Sequence, residues 1–199
     1  MMTKQEQQML ERTRKVLNTQ LISHTYFSNE QTKETGVDIL FARDCPGNRL
    51  LTCTTLGLIN YDIGFKNGDK DIRIELVGVS MIKGDLETAD LIARILSTAA
   101  FGIMENHFPC GLGTVFPDIL SGYLPNDDMK HIVFINPPPF WKEKFGAVQL
   151  EDFTLTWLCV QPISDAELAF LKEKGLKALL DLFVEKNINM FDLNRKSIL

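Results

Sequence analysis

The sequence has little of what common active sites need. Only three histidines are available as the base of a nucleophilic triad. None of the serines lies in a Gly-x-Ser-x-Gly turn. Gly111-Leu112-Gly113 lacks the third glycine of a dinucleotide fingerprint, and no Gly-x-x-x-x-Gly-Lys loop occurs to hold a phosphate. These absences argue against an enzyme and against a bound nucleotide cofactor, so we predict no catalytic residues.

Few residues have the spacing that is typical of metal ligands. His107 and Cys110 could supply two zinc ligands, but no second pair accompanies them, and the alternative is a loop histidine beside a buried thiol. We therefore predict no metal site. A hydrolase that uses Asp127, Asp128 or His131 is the least favoured alternative, since the plainer interpretation of His131 is a residue at a strand edge.

Membrane-spanning and secretory features are missing as well. Residues 1–8 lack the apolar core of a signal peptide, and no apolar run approaches the roughly 20 residues that cross a bilayer. The four cysteines lie far apart in apolar surroundings, which is typical of reduced thiols packed as small hydrophobes. We expect a cytoplasmic protein with no membrane partner. The cysteines are Cys45, Cys53, Cys110 and Cys159.

Positive charge is scarce, and more so in the second half of the chain. The net charge is -5, and from Glu105 to Asp192 there are 13 Asp and Glu against 7 Lys and Arg. A nucleic-acid binder needs clustered cations, so we predict no nucleic-acid partner. A protein partner with a basic surface is favoured instead.

The hydrophobic pattern predicts one α/β (α+β) domain over residues 1–199, with helices packed against a mixed, largely antiparallel sheet. Capping boxes at Thr3 and Ser164 predict helices over residues 4–20 and from residue 165, the second broken near Gly175 and resumed over 176–186. Asp85 is predicted to cap a long central helix. Strands are predicted over residues 37–42, 50–59, 72–80, 131–135 and 153–163, and residues 107–125 form an irregular connection with a short apolar piece over 115–120.

Three pairs of residues are candidates for contact with a partner. Phe140 and Trp141 follow three prolines and could form an aromatic anchor at an exposed rim, or could cap the sheet edge instead. The acidic pairs could meet a basic surface, although such pairs are commonly solvated turn residues. They are Asp127 with Asp128 and Glu151 with Asp152.

Another charged pair lies within a strand. Arg73 and Glu75 are expected on its polar face, where they could bind a ligand or pair with charges on adjacent strands.

Several segments, in this order, resemble the bacterial branch of the suppressor-of-fused domain family. One departure is that Ile59 and Asn60 stand where the family commonly has serine after Gly-Leu. The segments are Thr54-Thr55-Leu56-Gly57-Leu58 with Arg73-Ile74-Glu75-Leu76, Met129 to Phe134 with its proline stop, Pro162 to Leu168, and Asp192 to Ser197.

The resemblance implies a protein-binding domain without enzymatic activity, used in bacteria as an immunity protein, or antitoxin, against a toxin of the same cell. A nuclease is one toxin whose anionic substrate the acidic loops would imitate. The alternative is a cytosolic adaptor that sequesters a regulatory protein by adding a peptide strand to an open sheet edge. The resemblance assigns no binding residues.

Overall fold

A nine-stranded sheet carries one helix on one face and two on the other. The computed structural model describes residues 2–29, 31–82, 86–124, 128–141 and 143–199. The elements in chain order are α1 (Lys4–Leu17), β1 (Ile22–Phe27), β2 (Gly36–Arg43), β3 (Leu50–Leu56), a 3-10 helix (Leu58–Asn60), β4 (Lys66–Asn67), β5 (Lys70–Met81), α2 (Leu86–Asn106), β6 (Val115–Phe116), β7 (Met129–Ile135), β8 (Val148–Gln149), β9 (Phe153–Ser164) and α3 (Asp165–Glu185).

The strand order is β1-β2-β3-β5-β9-β7-β6, with β4 paired to β5 and β8 paired to β9. The central contact between β5 and β9 is parallel, and the other pairs are antiparallel. The predicted class, a mixed and largely antiparallel sheet packed against helices, is confirmed. The strand at residues 70–81, β5, pairs antiparallel with the preceding long strand, β3.

Both faces of the two central strands are buried. Along β9, Trp157 and Cys159 pack towards α1 and α3, whereas Leu158 and Val160 pack towards α2. Strands buried on both faces have nearly continuous apolar sequences, which explains the apolar density of residues 153–163. The sheet therefore lies between two apolar layers, each closed by helices.

The helix boundaries follow from their caps. Both capping boxes form, Thr3 with Glu6 and Ser164 with Glu167. The break near Gly175 is confirmed, because this residue has a φ of 84° inside α3. The first helix ends three residues before the predicted position, since Asn18 takes a left-handed conformation with a φ of 50°.

Asp85, the predicted cap of the central helix, lies outside the described residues.

Five long strands are predicted and five are found at those places, but the second is shorter than expected. It ends at Leu56 because Gly57 turns the chain into the 3-10 helix. Four strands escape prediction: β1 is an edge strand with most residues exposed, and β4, β6 and β8 have two residues each. Within the connection predicted over residues 107–125, the described residues 107–124 hold β6 in otherwise irregular chain, as expected.

Candidate functional site

Glu75 lies on the expected face of its strand, opposite Ile74 and Leu76, but the expectation that this face is polar and exposed is wrong, because the Glu75 side chain is completely buried. Its carboxylate accepts hydrogen bonds from the Thr55 hydroxyl at 2.5 Å and from the backbone N–H groups of Gly57 at 2.9 Å and Ile59 at 3.1 Å. Burial raises the pKa of Glu75 to about 7, and these hydrogen bonds oppose the rise. Glu75 thus holds the turn after β3 in place.

Arg73, the other half of that pair, is paired with charges as the structural alternative predicts, but these lie on its own strand and in the preceding loop, not on adjacent strands. Its guanidinium lies 3.6 Å from a carboxylate oxygen of Asp62 and 3.4 Å from one of Asp71.

Replacing Gly57 by alanine is expected to lower the free energy of unfolding by about 1–3 kcal/mol, because its φ of 112° is strained for any residue with a Cβ. A change in this φ angle would also disturb the hydrogen bond from the Gly57 N–H to the Glu75 carboxylate. Urea unfolding measures the loss. Gly122→Ala is the matched control, since no heavy atom lies within 4 Å of the added methyl group and its φ is unstrained. Equal stabilities for the two variants would contradict the assigned role of the turn.

A buried ion pair joins the start of α3 to the C-terminal segment. Arg195 donates to both carboxylate oxygens of Glu167, at 2.6 and 2.7 Å, and to the carbonyl oxygen of Pro162 at 3.0 Å. Its guanidinium also lies 4.9 Å from the centre of the Phe183 ring. Glu167 is fully buried and Arg195 nearly so. Every charged atom of the carboxylate is therefore engaged in holding the fold.

His131 is similarly occupied. Its ring is buried, Nδ1 accepts from the backbone N–H of Asp118 at 2.9 Å, and Nε2 donates to Asp165 at 2.9 Å. Both ring nitrogens thus fix neighbouring chain, in agreement with a strand residue rather than a base that faces a substrate.

The cysteine thiols and the possible metal ligands do not form a site together. The four cysteines are unpaired and buried as predicted, and burial raises the pKa of Cys159 to about 12. Cys110 is buried while His107 is exposed, and across the described ranges no three His, Cys, Asp or Glu side chains form a metal-binding group. The arrangement of these residues serves packing.

The two predicted aromatic anchors have different surroundings. Trp141 is buried, its indole N–H donates to the Thr52 hydroxyl at 3.0 Å, and its ring packs on Phe145 with centroids 4.7 Å apart. Phe140 is 38% exposed and contacts Phe191, with ring centroids 4.9 Å apart. Of this pair, Phe140 is the residue that faces solvent.

Phe140 borders an apolar groove of about 540 Å³, which we call the Phe140 groove. Its walls are the proline run after β7, the last turns of α3 and the segment that ends at Phe191. Val184, on the α3 wall, is 81% exposed. Val184 and Phe140 both contribute exposed apolar surface to this groove. The sequence contained no signal that joins Phe140 to Phe191 and α3.

The predicted acidic contacts do not form one patch. Glu151 and Asp152 are exposed in the turn before β9, whereas Asp128 lies near the other end of that strand, roughly 35 Å away along twelve residues. Asp128 also accepts from the Ser197 N–H at 3.1 Å and lies 3.7 Å from the Lys196 ammonium. Asp127 lies outside the described residues.

Residues 33–196, which contain both buried carboxylate clusters, match the model of the suppressor of fused protein. The chain belongs to the suppressor-of-fused family. A relative from Bacillus subtilis (strain 168), the immunity protein YqcF, is 35% identical over 170 residues, which are 85% of each chain.

Solved structures share the fold. A suppressor-of-fused homologue from Neisseria gonorrhoeae FA 1090 superimposes with a TM-score of 0.71 at 17% identity, over 98% of this chain and 96% of that one. A chain of the Sufu–Fu complex crystal structure gives a TM-score of 0.64 at 9% identity, over 96% of this chain and 91% of that one. At these identities the likeness concerns the fold alone.

Three of the segments that carry the family resemblance contribute residues to the two buried clusters. Thr55 and Gly57 contact Glu75, and Glu167 contacts Arg195. These residues of the resembling segments therefore hold the fold together.

No helix in the part of the chain that the structure describes is both long and apolar enough to cross a membrane.

Proposed function

We propose that this chain is an immunity protein that binds and neutralises a toxin, with residues 1–199 acting as one suppressor-of-fused-like domain and no catalytic role. The observation that carries the proposal is the 35% identity to the immunity protein YqcF over 85% of both chains. The contacts of His131 and of the Glu167–Arg195 pair agree with it, because these groups are engaged in holding the fold.

The toxin is expected to present a basic surface. The chain carries a net charge of -5, and Glu151 and Asp152 extend into solvent from the turn before β9. Opposite charges on two partners speed their encounter and disfavour wrong partners. Phe140, at the rim of its groove, is the proposed aromatic contact, since aromatic residues dominate the energetics of protein interfaces.

Growth rescue tests the role. The protein captured from source-cell lysate on the tagged chain is expressed in a bacterial host, alone and with this chain. We expect growth arrest from the captured protein and recovery on co-expression. Arrest that persists beside well-expressed chain would contradict the proposal, and so would a captured protein that arrests nothing.

Two matched variants test whether the groove takes part. Phe140 and Phe65 are similarly exposed, at 38% and 40%, so Phe140→Ala and Phe65→Ala remove equal apolar surface. Phe140→Ala is expected to weaken capture by about 2 kcal/mol, the scale of an interface hot spot, while Phe65→Ala leaves it unchanged. Equal effects would remove Phe140 from the contact surface and leave the immunity role to the growth test.

An adaptor role is the second candidate, and the edge of the sheet favours it. The edge strand β1 pairs on one side with β2, and four of its six residues are exposed. Its other side can pair with an extended peptide. A protein of this fold has been crystallised in a complex, the Sufu–Fu complex. A captured regulator without toxicity would favour this candidate.

A further inference from the structure

A cavity lies between the C-terminal end of α2 and the segment from Phe108 to Ile119. It has a volume of about 620 Å³, within the range of ligand-binding pockets. Phe101 and Phe116 contribute apolar surface, and the ring of Phe108, which is 49% exposed, stands beside Phe116 with centroids 5.7 Å apart. We call this space the α2 cavity.

The α2 cavity combines apolar walls with negative charge. Glu105 and Asp118 line it, no lysine or arginine does, and no cation of the described residues lies within 4.0 Å of the Glu105 carboxylate. Asp118 comes within 3.8 Å of Nδ1 of His131, but that nitrogen already accepts the Asp118 backbone N–H. The Asp118 charge also interacts with Lys130, but this lysine pairs with Asp165 and does not line the cavity.

The end of the helix adds to this negative potential. The last turn of α2 carries no basic residue, so the partial negative charge of its terminal carbonyl groups lacks the cation that commonly balances it. His107 follows the helix with an exposed side chain, yet it does not line the cavity.

This chemistry selects the occupant. Two carboxylates and a helix C-terminus repel phosphates and other anions. A wholly apolar molecule would provide no cation to pair with these carboxylates. A segment with an aromatic or aliphatic side chain next to Lys or Arg satisfies both features. We propose that the α2 cavity is the docking site for such a basic, apolar segment of the toxin. The identity of the partner as a toxin rests on the proposed function.

Titration of the full chain with three synthetic peptides, followed by two-dimensional NMR, tests the docking site. The probe is Lys-Lys-Phe-Leu-Lys-Lys; the controls replace its lysines by glutamates or its Phe-Leu by two serines. The probe is expected to shift the amide resonances of Gly102, Phe108 and Ile119 with saturation, and each control peptide to bind at least about tenfold more weakly.

Charge removal at the rim gives a second readout. The double variant Glu105→Gln/Asp118→Asn is expected to bind the probe about three- to tenfold more weakly, since each exposed charge contributes modestly. Asparagine suits position 118, where φ is 55°. Glu173→Gln/Asp181→Asn on α3 makes the same charge change at exposed carboxylates elsewhere and is expected to leave affinity unchanged.

Three results would overturn the docking site: no saturable shifts around the cavity, equal binding of the glutamate peptide, or equal loss in both double variants. These titrations contain no toxin, so their failure removes the docking site and leaves the immunity role to the growth test. A failed growth test beside positive titrations removes the immunity role and leaves a site for basic, apolar segments.

Discussion

Replacing Arg195 by alanine is expected to lower the free energy of unfolding by about 3–5 kcal/mol, the usual loss when one partner of a buried ion pair is removed. The variant would leave Glu167, which is fully buried, without its bidentate partner at 2.6 and 2.7 Å. The carbonyl oxygen of Pro162 and the ring of Phe183 would lose contacts as well. The loss is large beside the total stability of a typical domain.

Urea unfolding followed by circular dichroism measures this change. Arg14→Ala is the matched control, because Arg14 pairs with Glu11 at 2.8 Å on the exposed surface of α1, where removal is expected to cost less than about 1 kcal/mol. A loss for Arg195→Ala no greater than that of the control would contradict the structural role of the buried pair.

A double variant separates the loss of the pair from the cost of a stranded charge. Glu167→Gln keeps an acceptor for the Ser164 N–H and therefore keeps the capping box, while Arg195→Met fills the site with an uncharged side chain. The double variant is expected to lose less stability than Arg195→Ala alone, because no unpaired charge remains buried.

The central strands and the helix caps were readable from sequence because local chemistry decides them. Ser164 with Glu167 starts α3, and Gly175 interrupts it, through interactions within a few residues. Strand β1 was not readable, since an exposed edge strand has no apolar alternation and gains its structure from pairing with β2.

The site was less predictable because its residues depend on contacts distant in sequence. Glu75 alternates as a polar-face residue should, yet α1 packs on that same face and excludes water. Phe140 and Trp141 are adjacent and chemically alike, and the fold alone decides that Trp141 reaches Thr52 while Phe140 faces solvent. Antiparallel pairing separated Asp128 from Glu151, a register that sequence does not reveal.

The free energy of unfolding of the wild-type protein is expected to fall by about 3 kcal/mol between pH 4.5 and pH 7 because of Glu75. Replacing Glu75 by glutamine is expected to abolish this loss. The ordinary pKa of glutamate in the unfolded chain is 4.5, and burial raises the pKa of Glu75 to about 7 in the fold. Between these values the folded state keeps a proton that the unfolded state has released, so the free energy of unfolding falls as pH rises. Below pH 4.5 both states are protonated, and above about pH 7 both are ionised, so the effect is confined to this window.

The difference between the wild-type and Glu75→Gln unfolding free energies, measured across pH 4 to 8, isolates this group from the other carboxyls. Glutamine retains an acceptor for the N–H groups of Gly57 and Ile59. Its amide can donate to the Thr55 hydroxyl oxygen, so the turn stays closed in the variant. Glu11→Gln makes the same charge change at an exposed site. Its free energy of unfolding is expected to change with pH in parallel with that of the wild-type protein. A difference that does not change between pH 4.5 and 7 would show that Glu75 is already ionised in the fold, and that its three donors outweigh the cost of burial.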